Sequence, residues 1–493
     1  MPWRVGKIYN AATMTIRQVA NVSYLFLTFC LISAASLADQ PNIVLILADD
    51  LGYGDCTAFN PQSKIKTPHI DALAKEGLRF TDAHSAAGTC TPSRYGLLTG
   101  INPARTGVAN TLLATGIPII SEDEKTLASI LQSHGYSTHM IGKWHLGFHK
   151  TKSGRRVTFD FSKPTKGGPL DRGFESWFGI HGSAASQPLC YFNGRHVVAK
   201  PTSTISVTKQ RGDKTSTLKL SAASGFSLSE TSPLCCRKAV KLIHEYAAGP
   251  QQKPLFLYYA SPIPHEPWLP TKPFQGRSKL GAYGDFVMQL DDVVGQIDQA
   301  LQETGLASNT LLIFTSDNGP GPDAWRQMGD QGHASSGEFR GHKANCWEGG
   351  HRVPFIAKWP DRIPAASQTS AIINFTDVFA TLAELVKNSS IKNPNEIIPA
   401  DSISFLDVLF NPSTNHNRPS MIHRSHAIRE GHWKLALNAR QTDAAQVKKE
   451  KFELYNLARD PGEKENVANE HPKTADRLFS QFSTFVENRK LKK

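Results

Sequence analysis

The chain has 493 residues, of which 40% are hydrophobic and 20% charged, and its formal net charge is +12. This length and hydrophobic content exclude an intrinsically disordered protein and allow two domains, one of them large. The basic residues form no clustered stripe and no recognisable nucleic-acid module, so the charge favours anionic substrates over nucleic acid.

Residues 1–38 have the pattern of an export signal. Three basic residues precede an apolar run at 24–32, and 36–38 are small residues suited to cleavage. The run is too short to span a membrane. We therefore expect an exported protein without a stable membrane span, in a periplasmic, secreted or lysosome-like location that depends on the host. Met14 is an alternative start, because a complete signal follows it. Without this segment the chain keeps 52 basic and 43 acidic residues, a charge of +9.

Residues 39–414 show strands that alternate with helices. Continuous apolar runs predict buried parallel strands at 42–48, 137–141, 255–259 and 311–315. Helices are predicted at 67–77, at 90–100 and along a face formed by Phe286, Leu290, Val293, Ile297 and Leu301. The alternation predicts an α/β fold, with helices on both faces of a mostly parallel sheet.

Residues 415–493 have a different texture and predict a small subdomain. A polar linker at 415–419 leads to strand-like pieces at 421–428 and 433–437 and to an amphipathic helix at 473–490. This pattern indicates a small antiparallel sheet plus a helix. The serine- and threonine-rich stretch at 202–232 has little regular pattern, so we expect it to form a mobile rim.

The cysteines do not indicate a zinc site. Outside residues 30 and 90 an odd number remains, so they cannot all pair with one another. They are Cys56, Cys190, Cys235, Cys236 and Cys346. The dense aromatic residues Phe174, Trp177 and Phe178 favour the core over stacking on a ligand ring.

Polar residues follow the predicted strands directly. Asp49 and Asp50 come after the first strand, and Asp317 and Asn318 come after the strand at 311–315. Active sites of such sheets form at the carboxyl ends of the strands. An isolated Asp-Asp pair is more often a turn or a helix cap, but the second polar pair favours an oxygen-rich site for a hard cation such as calcium or magnesium.

Several cationic and titratable residues accompany these oxygen donors. Lys143 and His145 lie on one side of an extended segment, where the lysine would neutralise an anion and the histidine would shuttle a proton. His265 lies between two prolines after a strand, and Lys343 lies in a glycine-rich loop. Each residue alone has a structural interpretation, and only the combination predicts a site.

The segment Cys90-Thr91-Pro92-Ser93-Arg94 is the most specific motif of the chain. Pro92 suits the first turn of a helix, whose positive end would lie at Cys90 and attract an anion. A phosphatase loop would need an arginine six residues after the thiol, where Gly96 stands. A buried inert cysteine with a surface arginine is the structural alternative.

Together, these residues resemble the type I sulfatases of the alkaline phosphatase superfamily, from Pro41 to the Leu454–Leu457 and Asp460-Pro461 pattern. The resemblance implies an alkaline phosphatase-like fold and the oxidation of Cys90 to formylglycine by a formylglycine-generating or sulfatase-maturating enzyme. It implies calcium, or magnesium, and a stabilising role for Arg94 at the formylglycine. The implied metal ligands are Asp49, Asp50, Asp317, Asn318 and modified Cys90, and the residues that contact sulfate or move protons are Lys143, His145, His265 and Lys343.

The resemblance implies an arylsulfatase-like enzyme that cleaves a sulfated small molecule or glycan, with specificity set by loops at 174–193 and 201–232. Departures from the family pattern at Tyr95-Gly96, Ile101 and His342 concern packing and pocket shape. Two alternatives stay open at this point. One is a phosphonate monoester or phosphodiester hydrolase with the same nucleophile, and the other is an inactive secreted protein that binds sulfated glycans and keeps Cys90 as a thiol.

Overall fold

The computed structural model describes residues 1, 3, 40–108, 117–153, 156–211, 214–250, 253–387, 398–423, 426–437 and 451–488. The predicted signal sequence, apart from Met1 and Trp3, and Met14 with it, lies outside these ranges. Pro41–Lys493 forms one compact unit. Across the ranges given, we find no helix with the length and apolar character needed to cross a membrane.

The strands and helices are numbered separately along the chain. The strands are β1 (Asn42–Ala48), β2 (Leu78–Phe80), β3 (Ala83–His84), β4 (Ser137–Lys143), β5 (Thr151–Ser153), β6 (Arg156–Thr158), β7 (Ser176–Ile180), β8 (Phe192–Asn193), β9 (His196–Val197), β10 (Ser203–Arg211), β11 (Lys214–Ala222), β12 (Leu255–Ala260), β13 (Thr310–Ser316), β14 (Phe355–Lys358), β15 (Ser367–Thr369), β16 (Ile373–Asn374), β17 (Met421–His423), β18 (Ala427–Glu430), β19 (Trp433–Leu437) and β20 (Phe452–Asn456). The α-helices are α1 (Pro68–Glu76), α2 (Cys90–Thr99), α3 (Pro103–Thr106), α4 (Leu127–Ser133), α5 (Thr231–Ala248), α6 (Ala282–Glu303), α7 (Pro322–Asp330), α8 (Glu348–His351), α9 (Phe375–Lys387), α10 (Leu406–Phe410) and α11 (Pro472–Glu487). Short 3-10 turns occur at Tyr53–Asp55, Pro169–Asp171 and Ala307–Asn309.

A ten-stranded sheet forms the centre of the molecule, in the order β15-β2-β14-β13-β1-β12-β4-β7-β8-β9. The five strands from β13 to β7 run parallel, while β14 and β8 pair antiparallel with their inner neighbours. The predicted α/β architecture with a mixed, mostly parallel sheet is therefore confirmed. Every residue of β1 is buried, which explains why its sequence is continuously apolar.

Successive side chains of β1 enter two separate hydrophobic clusters, one on each face of the sheet. Ile43 and Leu45 pack in the cluster that includes α2 and α9, whereas Val44 and Ile46 pack in the cluster that includes α6. Alternation along a strand sends neighbouring side chains to opposite faces. Each fully buried aliphatic side chain contributes about 1.5–3 kcal/mol, so the two clusters anchor helices on both faces.

The C-terminal segment forms the predicted antiparallel sheet with one helix. Its strands follow the order β17-β18-β19-β20, and α11 packs Leu478 and Phe482 against Leu435 and Leu454. The strand-like piece at 421–428 is two paired strands, β17 and β18, rather than one. Strand β20 was not identified as a strand from the sequence.

The expectation that residues 202–232 lack regular structure is wrong. Strands β10 and β11 form a hairpin in which Ile205 lies opposite Leu220 and Val207 lies opposite Leu218. The period of two is weak in the sequence because each strand has only a few apolar positions. The end of the stretch enters α5 at Thr231.

Phe174 and Trp177 belong to the core, as the sequence favoured, and Phe178 is half-buried against Tyr191. Among the described residues all cysteines are free and buried. They are Cys56, Cys90, Cys190, Cys235, Cys236 and Cys346.

Candidate active site

The carboxyl ends of β1 and β13 bring the predicted oxygen donors together. Ala48 pairs with Ser316 at the end of the two strands, so Asp49 and Asp317 are the next residues on each. The Asp317 N–H donates to the Ala48 carbonyl at 3.0 Å, and the Asp50 N–H donates to Asp317 Oδ1 at 3.2 Å. Neighbouring parallel strands therefore create the cluster directly.

Cys90 is the first residue of α2, as the motif predicted. The helix ends at Gly100, which has the left-handed φ of +69° that favours glycine as a helix cap. Cys90 Sγ lies 3.2 Å from Lys343 Nζ and 3.8 Å from Asp50 Oδ1. Burial raises the pKa of this thiol to about 12, although Lys143 and Lys343 oppose the effect. The unmodified side chain is therefore a protonated thiol at neutral pH.

Asp49 is fully buried between two cations. Lys143 Nζ donates to both of its carboxylate oxygens at 2.9 and 2.7 Å, and Arg94 Nη2 lies 3.6 Å from Oδ1. Burial alone would raise the pKa of Asp49, but the charges of Lys143, His265 and Arg94 outweigh it and hold this pKa well below its ordinary value. Asp49 is therefore ionised.

Asp50 connects the oxygen cluster to the glycine-rich loop. Lys343 Nζ donates to its two carboxylate oxygens at 2.6 and 2.8 Å, and Asn318 Nδ2 donates to Oδ1 at 2.8 Å. Asp50 has a φ of +68°, which few non-glycine residues adopt. Burial opposes ionisation, but Lys343 and His265 lower the pKa of Asp50 below its ordinary value.

Arg94 extends from α2 to Asp317. Its Nε and Nη2 donate to Asp317 Oδ2 at 3.0 and 2.7 Å, and its Nη1 donates to the Lys143 carbonyl at 3.1 Å. The guanidinium group is fully buried, so these bonds fix its orientation. Burial and the charge of Asp49 raise the pKa of Asp317 to about 7 against the opposing charge of Arg94. The three carboxylates thus repel one another at short range.

The two predicted histidines lie beside this cluster. His265 Nδ1 donates to the Glu266 carbonyl at 2.6 Å, and Nε2 lies 3.7 Å from Asp50 Oδ2. Burial and Lys343 lower the pKa of His265. The carbonyl of His145 accepts a hydrogen bond from Thr91 Oγ1 at 3.0 Å. Burial and Lys143 depress the pKa of His145 strongly, so this ring is neutral.

All ten residues predicted from the sequence therefore lie in one site, where seven are buried and His145, His265 and Lys343 are half-buried. Its acidic members are Asp49, Asp50 and Asp317, its basic members are Arg94, Lys143 and Lys343, and the remaining members are Cys90, His145, His265 and Asn318. Side chains of Asp49, Asp50, Cys90 and His265 place possible ligand atoms within 4.8 Å of one another. Such a site can hold an anionic group against fixed positive charges and offers oxygen ligands to a hard cation.

A cavity of about 550 Å³ adjoins these residues. Besides Asp50, His265 and Lys343, residues that the sequence did not single out line it, namely Thr89, Glu266, Trp268, Tyr283 and Asp323. Glu266 follows His265 directly, so its place near the site could be predicted from the sequence. Tyr283 lies on a helix, and no local sequence pattern predicts its place in the cavity lining. None of the described residues of 174–193 or 201–232 lines this cavity, but the loop at 174–193 reaches the site at another point, because the His145 N–H donates to the His181 carbonyl at 3.0 Å.

A family model described as "Sulfatase" matches residues 41–388. The N-acetylgalactosamine-6-O-sulfatase of Bacteroides thetaiotaomicron is 33% identical over 492 residues, which cover 90% of this chain and 92% of that protein. Arylsulfatase G of Homo sapiens is 34% identical over 390 residues, which cover 74% of this chain and 69% of that protein. A solved sulfatase structure, described with the metabolism of multiple glycosaminoglycans by Bacteroides thetaiotaomicron, has a TM-score of 0.77 and 30% identity and covers 91% of this chain and 100% of that chain. The chain belongs to the sulfatase family.

The fold and these relatives identify the chain as an enzyme that hydrolyses sulfate esters. The predicted resemblance to sulfatases is confirmed. Because the matching relatives carry sulfatase names over most of the chain, sulfate ester hydrolysis is favoured over the two alternatives, a phosphonate or phosphodiester hydrolase and an inactive glycan-binding protein.

Proposed function

We propose that the enzyme uses formylglycine, formed from Cys90 by a maturation enzyme, as its nucleophile. The observation that carries the proposal is the position of Cys90 at the positive end of α2, with Sγ 3.2 Å from Lys343 Nζ and 3.8 Å from Asp50 Oδ1. A buried thiol with a raised pKa is a weak nucleophile, because the thiolate is the reactive form. When hydrated, formylglycine supplies two hydroxyls on one carbon, so that one displaces the alcohol from sulfur and the other, after losing its proton, releases sulfate and restores the aldehyde.

The cations of the site would hold the sulfate group and stabilise the charge that develops on its oxygens. Lys343 is paired with Asp50, Lys143 with Asp49 and Arg94 with Asp317, so all three cations are gathered in the site before a substrate binds. Preorganised charges in a buried site are often the largest contribution to catalysis. Fixed ion pairs therefore support a site built for an anionic transition state.

Two histidine atoms can exchange protons with the substrate and the nucleophile. Because Nδ1 of His265 donates to the Glu266 carbonyl, Nε2 is the remaining ring atom that can give a proton to the leaving oxygen, and it does so from the protonated ring, which the Asp50 carboxylate at 3.7 Å favours. Lys343 is the alternative donor. Nδ1 of His145 is buried and has no hydrogen-bond partner among the described residues, and the ring is neutral. It can therefore accept the proton that is lost when sulfate leaves.

The residues also fit a calcium ion, and we propose that Asp49, Asp50, Asp317, Asn318 and modified Cys90 hold it. The Oδ1 atom of Asn318 is buried and accepts no hydrogen bond within the described ranges, while Nδ2 of the same side chain donates to Asp50 Oδ1 at 2.8 Å. Oxygen-only donors of this kind suit calcium or magnesium rather than zinc. When bound, the ion would supply positive charge that polarises a sulfate oxygen and favours the ionised hydroxyl of the nucleophile.

We further propose that residues 1–38 direct export, that 39–414 form the catalytic domain, and that 415–493 form the C-terminal subdomain. The name of the Bacteroides thetaiotaomicron relative supports N-acetylgalactosamine 6-sulfate as the first substrate to assay.

Labelling with a hydrazide probe tests the nucleophile. Protein purified from the native host should carry one aldehyde on the peptide that contains residue 90 and should release sulfate from an aryl sulfate. Cys90→Ala should lose the label and the turnover and keep its thermal stability, whereas the matched control Cys235→Ala, at another buried free cysteine, should keep the label and the turnover. A free thiol at residue 90 in active enzyme would refute the proposal. Faster cleavage of aryl phosphate diesters than of aryl sulfates would refute the sulfate preference.

A further inference from the structure

The cavity beside the reaction centre has walls that the catalytic proposal does not use. Two segments line it, one at residues 264–268 after β12 and the other at residues 321–324 at the start of α7, and of these residues only His265 has a role in the proposed chemistry. A volume of about 550 Å³ is within the range that encloses a small ligand. Because Asp50, His265 and Lys343 line the same cavity, its other walls are next to the position expected for the sulfate ester.

Apart from His265, the charged residues that these two segments place in the lining are carboxylates. Glu266 and Asp323 line the cavity and are both half-buried. Lys343, a cation among the lining residues, is already bonded to Asp50 and Cys90. Beyond the sulfate position, the described lining is therefore acidic. This local charge is opposite to the positive net charge of the chain.

Carboxylates select for donors, because an ionised carboxylate accepts hydrogen bonds and donates none. A sugar hydroxyl or an amide N–H can donate to Glu266 or Asp323. A second sulfate or a carboxylate on the same ring offers only acceptors and carries a charge of the same sign as the wall. The walls thus distinguish a singly charged ring with free donors from a multiply charged one.

Two further observations indicate a polar ring in the cavity. Thr89 lines it, and the buried hydroxyl of this residue has no hydrogen-bond partner among the described residues. Buried polar groups are normally paired, so this hydroxyl is available to a ligand. Trp268 also lines the cavity and packs edge-on against Tyr283, with 5.6 Å between ring centroids. An indole held in this way offers apolar surface to a sugar ring.

We propose that Glu266 and Asp323 determine specificity. They accept hydrogen bonds from the hydroxyl or amide groups of a hexose or hexosamine that carries one sulfate, and they disfavour a ring with a second anionic group near the ester. The inference rests on the proposed sulfatase chemistry at residue 90 and names the substrate class of the same site.

The neutral, isosteric variants Glu266→Gln and Asp323→Asn test these roles separately. The amide side chains keep the volume and remove the charge. The Glu266 change leaves intact the backbone carbonyl that accepts the His265 bond. Asp323 also pairs with Arg326 one turn further along α7, so Arg326→Gln is the matched control that breaks this pair and keeps the wall carboxylate.

Release of sulfate is measured for an aryl sulfate without sugar hydroxyls, for a panel of monosulfated hexoses and hexosamines, and for a disulfated hexosamine. For the preferred monosulfated sugar, each neutral variant should raise KM about tenfold, as expected for losing a hydrogen bond to a charged group, with a smaller change in kcat. Activity on the aryl sulfate should stay within about twofold. The rate of sulfate release from the disulfated sugar should be unchanged or higher in these variants. Arg326→Gln should behave like the wild type on all substrates.

Three outcomes would overturn the inference. The first is an equal loss on the aryl sulfate and on the sugar, which would indicate a structural role. The second is that, in both variants, the ratio of activity on the sugar sulfate to activity on the aryl sulfate equals that of the wild type. If the ratio changes in only one variant, the residue replaced in the other variant has no role in specificity. The third is a wild type that prefers the disulfated sugar. If any of these results is found while the wild type releases sulfate from the aryl sulfate, the specificity inference fails and the proposed function is unaffected. If the matured wild type releases no sulfate from any substrate, the proposed function itself is wrong.

Discussion

Replacing Glu348 by glutamine should destabilise the fold at the junction between α8 and the C-terminal sheet. The Glu348 carboxylate is fully buried and accepts hydrogen bonds from Arg352 Nη1 at 2.9 Å, Lys434 Nζ at 3.0 Å and Arg429 Nη1 at 3.2 Å. Burial opposes ionisation, but Lys434 and Arg429 hold the pKa of Glu348 well below its ordinary value. The residue is therefore an ionised centre that joins three cations.

The size of the destabilisation depends on the anionic partners that each cation keeps in the variant. Removing one partner of a buried ion pair destabilises a protein by about 3–5 kcal/mol, because the other charge stays buried. Here Arg429 keeps its bond to Asp82 at 2.7 Å and Lys434 keeps a contact with Glu463 at 2.8 Å. These remaining partners reduce the loss, so we expect Glu348→Gln to lower the free energy of unfolding by about 3 kcal/mol, the lower end of that range.

Urea unfolding followed by intrinsic fluorescence measures this change. The matched control is Glu245→Gln, which breaks an exposed i,i+4 pair with Lys241 on α5 and should change the free energy of unfolding by less than about 0.5 kcal/mol. The double variant Glu348→Gln/Lys434→Met should recover part of the loss, because it removes a charge that the single variant leaves buried. If Glu348→Gln were no more destabilising than Glu245→Gln, the reasoning about this network would be wrong.

Three further predictions concern the site and its support. Arg94→Lys should lower kcat about a hundredfold or more with the fold retained, because a lysine cannot reproduce the two bonds to Asp317; activity within a few-fold of wild type would contradict this. Treatment with a chelator should abolish sulfate release, and added calcium should restore it. Calcium should also raise the melting temperature of the wild type but not that of Asp317→Ala, and the same titration with magnesium identifies the preferred ion. Burial raises the pKa of Glu463 to about 7 from the usual 4.5, although Lys434 lies nearby. The stability that protonated Glu463 contributes is therefore present below about pH 4.5 and lost as the pH rises through about 7. The wild type should lose more stability between about pH 5 and 8 than Glu463→Gln does. Equal losses would contradict the raised pKa of Glu463.

The parallel sheet and the ionic cluster could be predicted because local patterns specify both. Strand β1 is apolar at every position, which is typical of a strand buried on two faces, and Asp49-Asp50 follows it directly. The same reasoning applied to β13 and Asp317. When two such strands are parallel neighbours, their carboxyl ends lie side by side, so the polar residues that follow them are necessarily close together.

The hairpin, the cavity walls and the second ionic network could not be predicted in this way. In β10 and β11 the apolar positions are few, so the period of two is weak. Asp323 and Tyr283 face the cavity only because α7 and α6 pack where they do. Glu348 and Asp82 both bond to Arg429, 81 and 347 residues away in the sequence. A single sequence carries no signal for pairs so distant, and only tertiary packing reveals them.

The C-terminal sheet also helps to place a proposed catalytic residue. Lys343 lies in a loop with bonds to both parts of the fold. On one side, the Ala344 N–H donates to the Gly88 carbonyl at 2.6 Å, two residues before Cys90. On the other, Arg340 Nη1 donates to the Glu463 carbonyl at 2.8 Å, and the Glu348 N–H donates to Glu463 Oε2 at 2.7 Å. The loop is thus fixed between the start of α2 and the segment after β20. Because a charge acts most strongly when its position is fixed beforehand, the C-terminal segment contributes to the site, although none of its described residues is among the ten site residues.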